Sequence, residues 1–307
     1  LYVRNYSEQA ATLTIKMTTK PMHPEVRAIL IAAIGVVVLF SLYFVQRAAA
    51  PRLSAVALAT VKSEMNQPLY LIMLALGVFA MVAFIFFPYH TFGEDIKVLK
   101  DSGLKLIMVM AIISAVWGAS SSVADEIEGR TALTVLSKPI GRRSFIIGKF
   151  VGINWTTVLM FVVLGLVLMA AVAYKPIYDA REASQDPDEV AAWQVCYTEM
   201  ASTVPGLVLA FLATVVLTGI SVAISTRLPL MANFVICFAI YVLGHLTPTI
   251  VQSSLGRFEV VRFVGQLIAT VLPNLELLNS EAAIAADKAI PASYLGLAFA
   301  YCMIYTV

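Results

Sequence analysis

The residues best able to do chemistry are concentrated in one segment, residues 124–152, which reads ADEIEGRTALTVLSKPIGRRSFIIGKFVG. It holds three acidic residues, five basic residues and a proline, between two long stretches without charge. Charged side chains can bind a partner's surface, and glycine and proline interrupt helices. This pattern predicts a docking element that lies outside the apolar parts of the chain.

Signatures of catalysis are missing from the sequence. A phosphate-binding loop requires G-x-x-x-x-G-K-[ST], whereas GRRSFIIGKF has a different spacing and ends in Phe150. Neither H-E-x-x-H nor G-x-S-x-G occurs. The histidines (His23, His90 and His245) are scattered, and the cysteines (Cys196, Cys237 and Cys302) lack the spacing of a zinc site. We therefore expect no enzyme activity, metal or cofactor in this chain itself.

The composition is that of a membrane protein. Hydrophobic residues make up 60% of the 307 residues and charged residues 13%, and the mean hydropathy is +0.86. Soluble domains carry about 25% charged residues. The net charge of +2 gives no support to nucleic-acid binding.

Seven stretches contain no Asp, Glu, Lys or Arg, and the shortest has 19 residues. About 20 apolar residues form a helix long enough to cross a bilayer, and a helix satisfies its own backbone hydrogen bonds there. The sequence therefore predicts an all-α polytopic membrane protein. The stretches are 28–46, 65–93, 106–124, 150–174, 200–226, 228–256 and 289–307.

The basic residues predict the orientation. Residues 125–149 contain five basic residues, whereas residues 175–199 contain two, with six acidic ones. By the positive-inside rule, the first segment is cytoplasmic and the second lies outside. We expect a multi-pass protein of the cell inner (plasma) membrane, with an extracytoplasmic polar segment (1–27), an extra transmembrane helix (28–46) and a main transmembrane domain (52–307). Because the chain starts with Leu1 and ends inside an apolar stretch, we also expect residues beyond both ends.

Two further segments complete the predicted architecture. Pro51 and Pro68 bracket a short interfacial helix, whose apolar face is predicted to comprise Leu53, Val56, Ala57, Val61 and Met65. Residues 252–290 are mixed, and their apolar part FVGQLIATVLPNL is too short to span, which favours a re-entrant or interfacial segment.

Within the charged segment, the punctuation predicts a short helix over residues 131–138. Gly129 ends the preceding helix, Thr131 can cap the next one, and Pro139 stops it after about two turns. This helix would present Leu133 and Leu136 on the cytoplasmic surface. The alternative is that the basic residues only anchor helix ends at lipid headgroups.

The same residues resemble the signature region of the ABC-2 family of ABC transporter permeases. The resemblance comprises an acidic run and Gly-Thr before a short helix, then a proline, basic residues and a lysine at the start of the next span. Arg130, between Gly129 and Thr131, departs from that pattern. The matching residues are Glu126, Glu128, Gly129, Thr131, Leu136, Pro139, Arg142, Arg143 and Lys149. The permease for nitrous-oxide reductase maturation exemplifies the subgroup that the chain is most similar to.

The resemblance implies a six-helix permease bundle with an interfacial helix and a coupling helix, preceded here by the extra span. It implies two partners: a separate ABC ATP-binding subunit, which binds ATP and Mg, and a second permease copy, in a homodimer or a heterodimer. Membrane lipid surrounds the bundle. The residues implied in coupling to the ATPase are those nine together with Leu133.

Other interpretations stay open at this point. The chain could be a secondary transporter, although that class often has buried acids and repeated halves, and no acid lies within a predicted span. It could also be a non-transporting membrane scaffold for maturation of an exported enzyme. Polar residues within the spans, such as Ser120, Ser221 and Asn233, could pack helices or line a path. Gly148 and Gly152 form a G-x-x-x-G that could mark a dimer contact.

Overall fold

The computed structural model describes residues 25–87, 94–124, 141–182, 193–252, 263, 272–280, 283–284, 288 and 290–306. Within these ranges the chain is helical, with short turns and no strand. The predicted short helix over 131–138 and most of the predicted polar segment 1–27 lie outside the described residues.

Eight α-helices are named in chain order among the described residues. They are α1 (Glu25–Ala49), α2 (Pro51–Met65), α3 (Pro68–Phe86), α4 (Asp95–Ala119), α5 (Arg142–Glu182), α6 (Trp193–Ser225), α7 (Leu230–Gln252) and α8 (Ala292–Thr306). A π-helical turn, Ser120–Ala124, continues α4, and a 3₁₀ turn, Leu275–Leu278, precedes α8.

Four helices are long and apolar enough to cross a membrane: Pro68–Phe86, Asp95–Ser122, Arg143–Tyr178 and Cys196–Ser225. Three shorter apolar helices, Ile34–Ala49, Leu230–Leu246 and Ala292–Thr306, fall on the other predicted spans. Large apolar side chains are exposed on the outer faces, among them Phe40 of α1, Phe79 of α3 and Ile304 of α8. An apolar exterior on long apolar helices is that of an all-helical membrane protein.

The helices extend beyond the uncharged stretches of the sequence. Helix α4 starts at Asp95 and contains Asp101, and α6 starts at Trp193 and contains Glu199, continuing through Pro205. The helices are therefore longer than the predicted spans, and their N-terminal parts carry acidic residues that lie outside the uncharged stretches. The nearest charged residue marks where the apolar part of a helix ends. The helix itself continues beyond that residue, because backbone hydrogen bonding does not depend on the side chain.

The centre of the bundle is formed by α4, α5 and α6, with α3 and α8 packed at its flanks. Core side chains include Ile107 of α4, Leu164 and Leu168 of α5, and Leu209 and Val216 of α6. Helix α1 contacts mainly α2, and its Gln46 Oε1 accepts a hydrogen bond of 2.9 Å from Trp155 Nε1. The extra N-terminal helix is therefore attached at the edge of the bundle.

The bundle has two ends that differ in structure. The loop end is the end where α4 finishes and α5 starts, and the segment 125–140 joins them there. The α2–α3 corner, the end of α6 and the start of α7 also lie at the loop end, as their contacts with residues 118–121 show. The opposite end holds the start of α4, the end of α3 and the start of α6.

Candidate functional site

The predicted coupling residues are described only in part. Glu126, Glu128, Gly129, Thr131, Leu133, Leu136 and Pro139 lie outside the described residues. Arg142 is the first residue of α5, and Arg143 is exposed beside it. Lys149, one and a half turns further along, is 6% exposed, and its ammonium lies 5.6 Å from the centre of the Phe145 ring. The site at the loop end is thus built around the start of α5.

Helix α2 packs onto this part of α5 through two glycines. A Cβ atom on Gly148 would lie 2.8 Å from Val56 Cβ, and one on Gly152 would lie 2.6 Å from Thr60 Cβ and 2.8 Å from the carbonyl oxygen of Ala57. Only glycine allows two helices to approach so closely. The G-x-x-x-G pattern therefore has a partner within the chain, namely α2.

The buried face of α2 differs from the predicted one. The structure buries Ser54, Ala57, Thr60 and Glu64, whereas Met65 is 40% exposed. The prediction ranked side chains by apolar character. The glycines of α5 instead pack against a row of small residues of α2 spaced three or four apart, and this row ends in the carboxyl group of Glu64.

Glu64 reaches from α2 to α4 and is 4% exposed. A Cβ on Gly118 of α4 would lie 2.5 Å from Glu64 Oε2 and 2.9 Å from its Cδ, so the carboxyl group lies directly on the α4 backbone. Helix α2 therefore contacts both helices that the charged segment connects.

Burial raises the pKa of Glu64 from 4.5 to about 7, because a charged carboxylate loses its hydration there. Lys149 and a hydrogen bond with Ser121 act in the other direction, since both favour the charged form. Ser121 also accepts a hydrogen bond of 3.1 Å from Gln67 Nε2, at the α2–α3 corner. One carboxyl group, one amide and one hydroxyl thus join α2, α3 and α4.

The π-helical turn is bound on its other side by α6 and α7. Asn233 Nδ2 of α7 donates to Ser120 Oγ at 2.8 Å and to Ser221 Oγ of α6 at 2.9 Å. Cys237 Sγ lies 3.2 Å from Asn233 Oδ1. These polar groups are almost fully buried and join three helices. The turn at the start of the charged segment is therefore held from both sides, and π-helical turns recur at functional sites.

The opposite end contains an open cavity of about 470 Å³ between α4, α6, α7 and the 3₁₀ turn. Its inner wall is apolar, with Leu104 and Met108, and its rim carries Asp101, Lys105 and His245. Lys105 Nζ lies 2.7 Å from Asp101 Oδ2. An apolar groove of about 160 Å³ between α4 and α7 shares Tyr241 with the cavity.

His245 lines that cavity and is held by its own helix. Its Nδ1 lies 3.0 Å from the carbonyl oxygen of Tyr241, and its ring centre lies 4.6 Å from that of Tyr241. Both contacts hold the imidazole ring against α7.

Two buried lysines at the opposite end have nearby oxygen partners. Lys100 forms an ion pair with Glu199 and donates to Ser202 Oγ at 2.7 Å. Lys175, 1% exposed, donates to the carbonyl oxygens of Ile85 and Phe87, at 3.2 and 3.5 Å, at the end of α3. A cation at a helix C-terminus stabilises the unpaired carbonyls there. These lysines join helix ends to each other.

The described residues contain no group of three or more His, Cys, Asp or Glu side chains that could hold a metal ion. No protein-family model matches the sequence, and a search of curated proteins finds no match. Sequence reasoning missed Glu64, Gln67 and Gly118 in this geometry. The available signal was the one acidic residue of a short helix, in register with the small residues Ala57 and Thr60.

Proposed function

We propose that the chain is the membrane-spanning permease subunit of an ABC-2 type ABC transporter, which couples ATP hydrolysis by a separate subunit to export of a substrate. The observation that supports this most is the packing of α2 against both helices that flank residues 125–140 of the charged segment. The short packing distances at Gly118, Gly148 and Gly152 couple α2 to both helices.

The mechanism follows from close packing. A protein interior is packed as densely as an organic crystal, so a displaced helix end moves its neighbours. A partner that binds the charged segment would displace the end of α4 and the start of α5 together. Helix α2 and the Asn233 cluster would then carry this movement to α3, α6 and α7. Two discrete arrangements of such a bundle are what a transport cycle requires.

The cavity at the opposite end is the place where cargo could leave the bundle. It has an apolar wall and a polar rim, and the groove beside α7 leads to it along the apolar part of α4. The proposed complex contains an ABC ATP-binding subunit, which binds ATP and Mg, and a second permease copy, within the inner (plasma) membrane. Nucleic acid has no part in this function.

The experiment that tests this proposal is purification of the tagged chain from its native membranes in mild detergent. We expect an ATP-binding subunit to co-purify in a fixed ratio and the reconstituted complex to hydrolyse ATP. Leu136→Asp should reduce co-purification at least tenfold, while Leu297→Asn on the exposed face of α8 should not. Recovery of the folded chain without any ATPase would contradict the proposal.

A secondary transporter is the main competing function, because Asp101 and Glu199 lie within helices that can span the membrane. Both acids are paired, with Lys105 and Lys100 respectively, so neither resembles an exchangeable ion site. Transport driven by an ion gradient without ATP would favour this alternative. A maturation scaffold would bind the ATPase but show no change in ATPase rate with any cargo.

A further inference from the structure

Three buried side-chain oxygen atoms accept no hydrogen bond from the described residues, and two of them, Glu64 Oε1 and Gln67 Oε1, lie at the α2–α3 corner of the loop end (the third is Asn154 Oδ1). Both side chains are linked to the same hydroxyl group, that of Ser121. A charged carboxylate only accepts hydrogen bonds, whereas a protonated one also supplies an O–H donor. One proton on Glu64 would therefore provide a donor where buried acceptors are in excess.

The groups around Glu64 allow both charge states. Helix α5 presents the ammonium of Lys149, which favours the carboxylate, and α4 presents Ser121 and the backbone at Gly118, which do not titrate near neutral pH. The corner before α3 presents the Gln67 amide, and Lys62 on α2 is exposed to solvent. Burial outweighs the attraction of Lys149, so the pKa of Glu64 lies at about 7.

We propose that the Glu64 carboxyl group is a proton-binding site that controls how tightly α2 is held against α4 and α5. When Glu64 is charged, it attracts Lys149 and draws α2 onto α5. When it is neutral, that attraction is lost and the carboxyl group can donate a hydrogen bond within the junction. No step of this proposal requires transport or an ATPase, so it stands apart from the proposed function.

The carboxyl group is placed where such a change has mechanical consequences. Helix α2 is packed closely against Gly118 on one side and against Gly148 and Gly152 on the other. The interaction that can change is that of the carboxyl group of Glu64, near the end of α2. A change of charge at Glu64 therefore alters the force on α2 without altering its apolar packing. The proton would set the position of α2 beside the end of α4 and the start of α5.

An infrared titration of the purified chain in lipid nanodiscs tests the proton site. We expect a protonated-carboxyl stretching band that disappears between pH 6 and 8 (the range follows from a pKa of about 7) and is absent in Glu64→Gln. Glu94→Gln, on an exposed side chain, is the matched control and should keep the band. Ser121→Ala removes a group that favours the charged form, so the midpoint should rise. A spectrum of Glu64→Gln identical to that of the unaltered chain across this range would overturn the proposal.

A distance measurement tests the movement of α2. Spin labels on Ala59 of α2 and Ile147 of α5, both exposed, report the α2–α5 separation, and the described native cysteines are buried. We expect the distance distribution to change across the infrared midpoint and to stay constant in Glu64→Gln. A constant distribution in the unaltered chain, despite titration of Glu64, would overturn the control of α2 by the proton.

Discussion

The buried charged side chains at the two ends of the bundle differ in their hydrogen-bond partners. At the opposite end, Lys100 and Lys175 contact carboxylate, hydroxyl and carbonyl oxygens, and the open cavity there is lined by Asp101 and Lys105. At the loop end, Glu64 lies against the glycine backbone of α4 and retains an oxygen without a donor from the described residues. The first arrangement fixes helix ends around the cavity. The second leaves the Glu64 carboxyl group able to change its charge within the close contact of α2 with α4 and α5.

This difference shows where each property of a transporter can be located. A satisfied ion pair holds one geometry, because breaking it leaves an unpaired charge. A carboxyl group that is nearly balanced between two protonation states supports two geometries of similar free energy. The loop end is therefore suited to transmit a change, and the opposite end is suited to hold a cavity.

The largest expected effect comes from the close contact between α2 and α5. Gly152→Val would place side-chain atoms against Thr60 and the Ala57 carbonyl, where a single Cβ already comes within 2.6–2.8 Å. We expect a loss of more than about 3 kcal/mol in the free energy of unfolding, because the backbone of α2 must shift. The measurement is thermal unfolding with a thiol-reactive dye, which reports exposure of the buried Cys196, Cys237 and Cys302.

Gly296→Val is the control for that prediction, since no atom lies within 4 Å of a Cβ at this position. It should unfold within about 1 kcal/mol of the unaltered chain, the cost of a β-branched residue in a helix being small. Equal losses in the two variants would show that α2 does not depend on the glycine contacts, and the contrast between the two ends would lose its basis.

The Glu64 carboxyl group gives the second effect, a dependence of stability on pH. Its pKa is 4.5 in an unperturbed setting and about 7 in the folded chain. Between these values the folded chain keeps a proton that the unfolded chain has released, so stability falls as the pH rises from about 4.5 to about 7 and is level above that. The total loss is about 3 kcal/mol.

The measurement is the unfolding free energy of the unaltered chain minus that of Glu64→Gln, at pH 5 and at pH 8. Taking the difference removes the other carboxyl groups, which titrate alike in both chains. We expect the free energy of unfolding of Glu64→Gln to increase relative to that of the unaltered chain as the pH rises. A difference that is the same at both pH values would mean that Glu64 does not change its charge between them and would contradict the prediction.

Much of the fold could be predicted from the sequence, but little of the contact of α2 with α4 and α5 could be. The uncharged stretches predict apolar helices correctly because the cost of burying charge in lipid is large and local in sequence. The partner of Gly148 and Gly152 depends on how α2 folds back, which is a tertiary event. The contact of Glu64 with α4 is likewise tertiary, because the sequence does not show that Gly118 leaves room for its carboxyl group.

The opposite end supplies the third prediction. Lys100→Met removes the cation that Glu199 and Ser202 bind, and it should cost about 2 kcal/mol, less than a fully buried pair because the Glu199 side chain is 28% exposed. Lys97→Met, which breaks an exposed pair with Glu94, is the matched control and should cost no more than about 0.5 kcal/mol. The same thiol-dye assay measures both. A Lys100 variant as stable as the Lys97 variant would mean that the buried pair does not hold the opposite end.

The smallest expected effect concerns Asn233, which links the π-helical turn to α6 and α7. Asn233→Ala leaves Ser120 and Ser221 without their shared donor, but both hydroxyls can still bond elsewhere, and Ser120 already donates to the carbonyl oxygen of Val116 at 3.0 Å. We therefore expect a cost of about 1–2 kcal/mol. Asn154→Ala is the control, because the Asn154 side-chain amide donates within its own helix, to the carbonyl oxygen of Phe150 at 2.9 Å. If Asn233→Ala is no more destabilising than Asn154→Ala, the loop end is held by α2 alone, and movement of the charged segment would reach α6 and α7 only through the apolar core.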